Sequence, residues 1–246
     1  MNGVLAILRR ELRAYFFSPL AYILLTFFLL VQGYTFSIIV SYLSDPRFPG
    51  GKPLELLFGQ TIFFWLVVIF SGTFLTMRLI SEELRSGTIE TLMTAPVSET
   101  QVVLGKYGAA FLFYLFLWAP TLIYVAIVRA KTPVDWGPIA ASYLGIACIG
   151  ALFLAVGIFA SATAKNQIVS AIVTFAFILV LFSIGLVENL ANGEVAKAVF
   201  GHMNLWTHMD DFSKGIVDTR RLVYYLSGSA FFLFLTGRAL AAKKWR

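Results

Sequence analysis

Five charged residues crowd into one short stretch of an otherwise apolar chain: Arg78, Glu82, Glu83, Arg85 and Glu90. Arg78, Glu82 and Arg85 stand three and four positions apart, the spacing at which charges pair on a solvated helix. Gly87-Thr88 is predicted to break that helix. Residues 88–93 then form a short helix that presents Leu92 and Met93 as apolar knobs, and Ala95-Pro96 ends it. Ser98-Glu99-Thr100-Gln101 reads as a capping box that starts a further helix, whose first turns carry Lys106. The chemistry on offer is recognition, with charges and knobs held out for another protein on a structured loop longer and more apolar than a turn requires.

Other candidate residues lead nowhere comparable. His202, His208, Asp210 and Asp211 are metal ligands in type, but their spacing fits no ligand motif, and a solvated polar loop is expected there. The single cysteine, Cys148, lies in an apolar run, so one chain can build neither a disulfide framework nor a zinc site from it. Gly105-Lys106-Tyr107 lacks the first glycine and the hydroxyl of a phosphate-binding loop, so the chain is not expected to bind ATP or to need any cofactor of its own.

The elements that position the charged stretch are membrane helices. Of 246 residues, 59% are hydrophobic and 13% charged, against about 25% charged in soluble domains. Charge-free runs cover 14–44, 56–77, 107–128, 136–164, 166–187 and 222–237. A crossing takes roughly 20 apolar residues, so six crossings are predicted, the last extended by snorkelling of Arg238. Pro120 is expected to bend the third. In the fourth, Ala147, Ala151 and Ala155, with Gly145, Gly150 and Gly157, allow close helix approach.

Orientation follows from the lysines and arginines. With the N-terminus cytoplasmic, the inner segments hold 11 basic residues and a net charge of +6, and the outer ones hold 8 and a net charge of zero. Both termini are therefore placed inside. The overall net charge of +6 follows this membrane logic and does not point to nucleic acid. Residues 4–17 form a separate amphipathic helix, with Val4, Leu5, Leu8, Leu12, Tyr15 and Phe16 facing lipid and Arg9, Arg10 and Arg13 facing phosphates. It ends at Ser18-Pro19, where the serine is expected to cap the next helix. Residues 188–221 are too long for a turn and should hold one or two short helices, with Trp206 as an interfacial anchor.

No Asp, Glu, Lys, Arg or His falls near the middle of a predicted crossing, where an ion-coupled carrier needs one. No nucleophile with a base is evident at membrane depth either, which argues against an intramembrane enzyme. The membrane hydroxyls and amide, among them Thr26, Gln32, Thr35, Ser71, Thr73, Thr76, Ser170 and Thr174, suit a weakly polar passage or interhelical bonding. Energy for any transport has to come from another protein.

The stretch Glu82-Glu83-Leu-Arg85-Ser-Gly87-Thr88-Ile-Glu90-Thr-Leu92-Met-Thr-Ala-Pro96-Val-Ser98, followed by Gly105-Lys106, resembles the permease subunits of ABC-2 type transporters. The opening Arg9-Arg10-Glu11-Leu-Arg13-Ala-Tyr15-Phe-Phe-Ser18-Pro19 is similar to the same family. The tail, residues 212–225 with Lys243-Lys-Trp245-Arg246, is most similar to the gliding-associated GldF-like branch.

The resemblance implies one all-α ABC-2 transmembrane domain over residues 1–246. It comprises an interfacial helix (1–18), a cytoplasmic coupling loop (78–106), six membrane helices and an external loop (188–221). It also implies a non-catalytic subunit in the bacterial inner membrane that pairs with a second permease protomer, as a homodimer. Two ATPase subunits would bind the ATP, and an auxiliary membrane-anchored subunit with an external domain would join them. Glu82, Glu83, Arg85, Gly87, Thr88, Glu90, Leu92 and Pro96 would seat the ATPase, with Arg9, Arg10 and Arg13 at the same interface. The other reading of the same loop is a membrane scaffold of a motility or envelope machine, in contact with an ATPase but moving no substrate.

Overall fold

A computed structural model describes residues 3–45, 47, 51–59, 61–88, 97–187 and 193–244, and among them the only regular elements are helices. Six helices are long and apolar enough to cross a membrane: Pro19–Leu43, Ile62–Ser86, Glu99–Arg129, Trp136–Thr163, Gln167–Gly185 and Thr219–Lys243. The chain is thus a multi-pass membrane protein, because a helix satisfies its own backbone groups where no water can.

Several boundaries carry their cause in the sequence. Helix α1 (Gly3–Phe16) precedes α2 (Pro19–Leu43), which has Pro19 in its first turn. A short α3 (Pro53–Leu57) leads to α4 (Ile62–Thr76), whose N-cap Thr61 accepts from the Phe64 amide. After a turn comes α5 (Ser81–Ser86), ended by Gly87 at φ 72°. Helix α6 (Glu99–Trp118) starts on the expected capping box, Ser98 and Gln101 bonding reciprocally. At Pro120 the third crossing breaks into a 3-10 turn, Ala119–Thr121, before α7 (Leu122–Arg129).

The fourth crossing, α8 (Trp136–Thr163), is the hub. Helices α4, α6, α9 (Gln167–Val187), α11 (Leu205–Ser213) and α12 (Thr219–Lys244) all pack on it. Its glycines set the spacing. A Cβ on Gly157 would lie 2.0 Å from Thr76 Oγ1 of α4, one on Gly150 2.1 Å from the Tyr114 ring of α6, and one on Gly145 2.7 Å from Phe212 of α11. Close approach compensates for the weak hydrophobic drive between helices in lipid, since it maximises dispersion contact. The outer faces of α2, α9 and α12 are apolar and exposed, with Ile23, Leu30, Ile168, Ile172, Val180, Val223 and Phe234 among them, as lipid-facing surfaces should be.

The region 188–221 holds α10 (Glu194–His202) and α11. Expectation and structure part here. Trp206 stacks on Trp65 of α4 with ring centroids 5.8 Å apart, so it is packed into the bundle. His208 is no solvated loop residue: it is 2% exposed, with Nδ1 3.0 Å from the Tyr225 hydroxyl of α12. Arg221 donates to the Thr207 and His208 carbonyls and pairs with Asp211, fixing α11 to the start of α12. Burial, together with the nearby Arg221 charge, lowers the His208 pKa to about 4. No cluster of His, Cys, Asp and Glu that could hold a metal occurs among the described residues.

Most polar side chains of the crossings bond within their own helix. Thr26, Thr35, Ser71, Thr73 and Thr76 each donate to a carbonyl three or four residues back. Gln32 Nε2, Ser170 Oγ and Thr174 Oγ1 are buried and find no partner among the described residues.

Candidate functional site

One end of the bundle gathers α1, α5, the start of α6, the end of α8 and the start of α9. Helix α1 does not simply float its apolar face on lipid. Ile7 and Tyr15 are buried, and α1 packs along α6. Gly105 and Gly108 make the room: a Cβ on Gly105 would sit 2.8 Å from Ile7 Cβ, and one on Gly108 3.1 Å from Leu8 Cδ1. Leu5, Phe16 and Phe17 remain exposed, as do Arg9, Arg10 and Arg13 on the polar side. The helix is therefore held by protein on one stripe and free for lipid on another.

The contact is locked by charge. Lys106 lies in the second turn of α6 with its side chain 2% exposed. Its Nζ is 3.0 Å from Glu11 Oε1 of α1 and 2.9 Å from Glu83 Oε1 of α5. Arg10 closes the square, its Nη2 2.7 Å from Glu11 Oε1 and 3.0 Å from Glu83 Oε1. A buried ammonium costs several kcal/mol in lost hydration, so it persists only with close counter-charges, and here two carboxylates supply them. Burial alone would raise the Glu11 pKa, but Lys106 and Arg10 outweigh it and hold the carboxyl below its ordinary value. Arg10 is itself raised: burial works against its charge, and Glu11 and Glu83 overcome that. Glu83 Oε2 is buried and accepts no hydrogen bond from the described residues.

A second clamp joins the end of α1 to the end of α4. The Tyr15 hydroxyl donates to the Leu75 carbonyl at 2.5 Å, and the Arg78 guanidinium lies 5.5 Å above the Tyr15 ring. Arg78 also donates to Ser18 Oγ at 2.9 Å. This corrects the expected role of Ser18: it sits at the N-cap of α2, but its hydroxyl makes no capping bond there and serves Arg78 instead.

The six-residue α5 is capped from outside itself. Ser161, near the end of α8, accepts from the Ile80 amide at 3.1 Å and the Ser81 amide at 3.0 Å, satisfying donors that the helix start leaves open. Gln167 of α9 donates to Glu82, and Arg85 lies 3.4 Å from the same carboxylate. Past α5, Ser86 and Thr88 hydroxyls meet at 2.9 Å across Gly87. A Cβ on Gly87 would touch nothing, so backbone conformation alone calls for glycine there.

The structure thus brings Arg10, Glu82, Glu83, Arg85, Gly87 and Thr88 to one junction, with Arg9 and Arg13 on the exposed side of α1. Glu90, Leu92 and Pro96 lie outside the described residues. Sequence reasoning missed Glu11, Lys106, Ser161 and Gln167 as members of this junction. A lysine beside Gly105, facing a helix that carries a lone glutamate among arginines, was the available signal. Chemically the junction ties α1, α5 and α6 together through ion pairs and joins α5 to α8 and α9 through Ser161 and Gln167.

Residues 54–208 match the family model described as ABC-2 family transporter protein. No curated protein matches the chain. The match spans well over half the length and runs from α3 through α11, so the chain belongs to the ABC-2 family of transporter membrane proteins.

Proposed function

We propose that this chain is the permease subunit of an ATP-driven ABC-2 transporter and is moved through residues 78–106 by a separate ATPase. The observation that carries this reading is the Arg10–Glu11–Lys106–Glu83 network, which ties the loop base, the interfacial helix and a membrane helix into one lever. A loop with no mechanical task would not need a fully buried lysine to anchor it. The ATPase contact is assigned to Glu82, Glu83, Arg85, Gly87, Thr88, Glu90, Leu92 and Pro96, with Arg9, Arg10 and Arg13 alongside.

In this reading the whole chain is one transmembrane domain, and two protomers form a homodimer with the substrate path between them. Both termini and the 78–106 loop are cytoplasmic, region 188–221 is external, and the membrane is the bacterial inner membrane. The basic bias of the loop side supports this orientation. Residues 212–225 and the basic tail support a place nearest the gliding-associated branch, with an auxiliary external-domain subunit as a further partner. The neutral membrane interior is compatible with a lipid, glycan or peptide substrate.

Impermeant-thiol labelling of Thr88→Cys and Lys214→Cys variants, in a Cys148→Ala background, tests the arrangement. Labelling from opposite sides is expected, and labelling from the same side removes the loop from an ATPase's reach.

A further inference from the structure

The second crossing is broken where its own sequence gives no cause. Ile62–Ser86 is long and apolar enough to span a membrane as one helix of 25 residues, yet α4 stops at Thr76 and α5 starts at Ser81. The residues between them, Met77-Arg78-Leu79-Ile80, include neither proline nor glycine, and a sharp kink without those needs a side chain inserted into the backbone ladder. Met77 keeps helical angles, and the departure falls at Ile80, with φ −120° and ψ −37°. Leu79, Ile80 and Ser81 are buried, so the break lies within the protein.

The bonds that hold the break come from elsewhere in the chain. In an unbroken helix the Ile80 and Ser81 amides would donate to the Thr76 and Met77 carbonyls, four residues back. Here both donate to Ser161 Oγ of α8, at 3.1 and 3.0 Å, and the same hydroxyl donates to the Met77 carbonyl at 3.4 Å. One buried hydroxyl thus replaces a turn of backbone bonding at its donor and its acceptor ends. The Thr76 carbonyl is taken by the Leu79 amide at 3.1 Å, the tighter bond of a 3-10 turn. On either side of the break, Ser18 holds Arg78 and Gln167 of α9 holds Glu82.

We propose that residues 77–80 are a conformational switch: the second crossing alternates between this broken form, latched by Ser161, and a continuous helix over 62–86. The two forms exchange hydrogen bonds rather than lose them. The Ile80 and Ser81 amides pass from Ser161 to the Thr76 and Met77 carbonyls, and the Ser161 hydroxyl turns back onto a carbonyl of its own helix, as Ser142 does in α8. No buried amide is stranded in either form, which keeps the gap between them small enough for both to be populated. Rewinding the turn re-aims α5 about the axis of α4 and parts Glu83 from Lys106, while Glu11 at 3.0 Å remains as the lysine's counter-charge. The switch belongs to this chain alone and does not depend on an ATPase seated on the loop.

The test is double electron–electron resonance on the full chain in lipid nanodiscs, with spin labels at Ile62→Cys and Ser86→Cys in a Cys148→Ala background. A continuous helix sets these two backbone positions about 36 Å apart. Ser161→Ala should enlarge the population at that distance, relative to that of the broken form, about fivefold, the equivalent of ~1 kcal/mol for one latch bond. Ser142→Ala, which removes a hydroxyl bonded within α8, should leave the ratio unchanged. Site-resolved hydrogen exchange separates a switch from a fixed break. In Ser161→Ala the Ile80 and Ser81 amides should stay as protected as in the wild type, because backbone carbonyls take them over. Absence of the helical distance from both chains, an unchanged ratio in Ser161→Ala, or faster exchange of the two amides in that variant would each overturn the proposal.

Discussion

The Lys106 ammonium lies 2.9 Å from Glu83 Oε1, joining the second turn of α6 to a six-residue helix 23 positions earlier in the chain. With the lysine side chain 2% exposed, this bond has little competition from water, and it governs how the loop base moves with the membrane helices. Lys106→Met should therefore be severe. Removing one partner of a buried ion pair costs about 3–5 kcal/mol, because the remaining charges stay buried and uncompensated. Thermal unfolding in detergent should show a clear loss, and limited proteolysis should cut α1 loose. The double variant Lys106→Met/Glu11→Gln should lose less than the sum of the two single variants, since both act on one network.

The same network sets a pH dependence. The Glu11 carboxyl is held below its ordinary value of 4.5 in the folded chain. Its contribution is therefore complete above that ordinary value and is lost as pH falls through the folded one. The groups that face it are Lys106, Arg10 and Glu83. Protection of α1 amides, measured against their intrinsic exchange rate at each pH, should be flat from neutral pH down to about 5 and fall below it. Glu11→Gln should remove that acid step while raising exchange at neutral pH.

His208 predicts a separate acid response at the other end of the bundle. Its folded pKa of about 4 lies below the ordinary 6.5, so the unfolded chain takes up a proton that the folded one refuses. Packing of α11 should weaken as pH drops from about 6.5 toward 4, by ~1.4 kcal/mol for each unit between the two values. Burial sets it first, with the Arg221 and His202 charges lowering it further and Asp211 opposing them, while Tyr224 and Tyr225 pack against the ring. Protection of α11 amides should follow this curve in the wild type and become flat in His208→Gln.

Helix spacing around α8 predicts which glycines tolerate a methyl group. Gly157→Ala and Gly150→Ala each place a carbon within about 2 Å of a neighbouring side chain, Thr76 and Tyr114, and the shifts needed should cost about 1–3 kcal/mol. Gly87→Ala meets no atom, so its cost is limited to the left-handed backbone, about 1 kcal/mol. Melting curves of the three variants should rank them accordingly.

What the sequence disclosed was local. Six apolar runs, the Ser98–Gln101 box, the stop at Gly87 and the break at Pro120 all depend on residues within a few positions of one another, and each appears in the fold. What it hid was long-range. Lys106 and Glu11 are 95 positions apart, and Ser161 meets Ile80 and Ser81 across some 80, so no spacing rule could pair them before the helices were packed. His208 read as solvated because its loop is polar, yet Tyr225 of α12 and the Arg221–Asp211 pair draw α11 onto the bundle. Ser18 illustrates the same limit: its position at the helix start was legible, but the guanidinium that claims its hydroxyl comes from 60 residues away.

The coupling assignment meets its most direct check in ATP turnover by the permease co-assembled with its ATPase in lipid. Gly87→Pro, which cannot adopt the φ of 72° found there, should leave the chain inserted and the complex assembled but abolish the stimulation of turnover. Turnover at the wild-type level in that variant would contradict the role given to the loop.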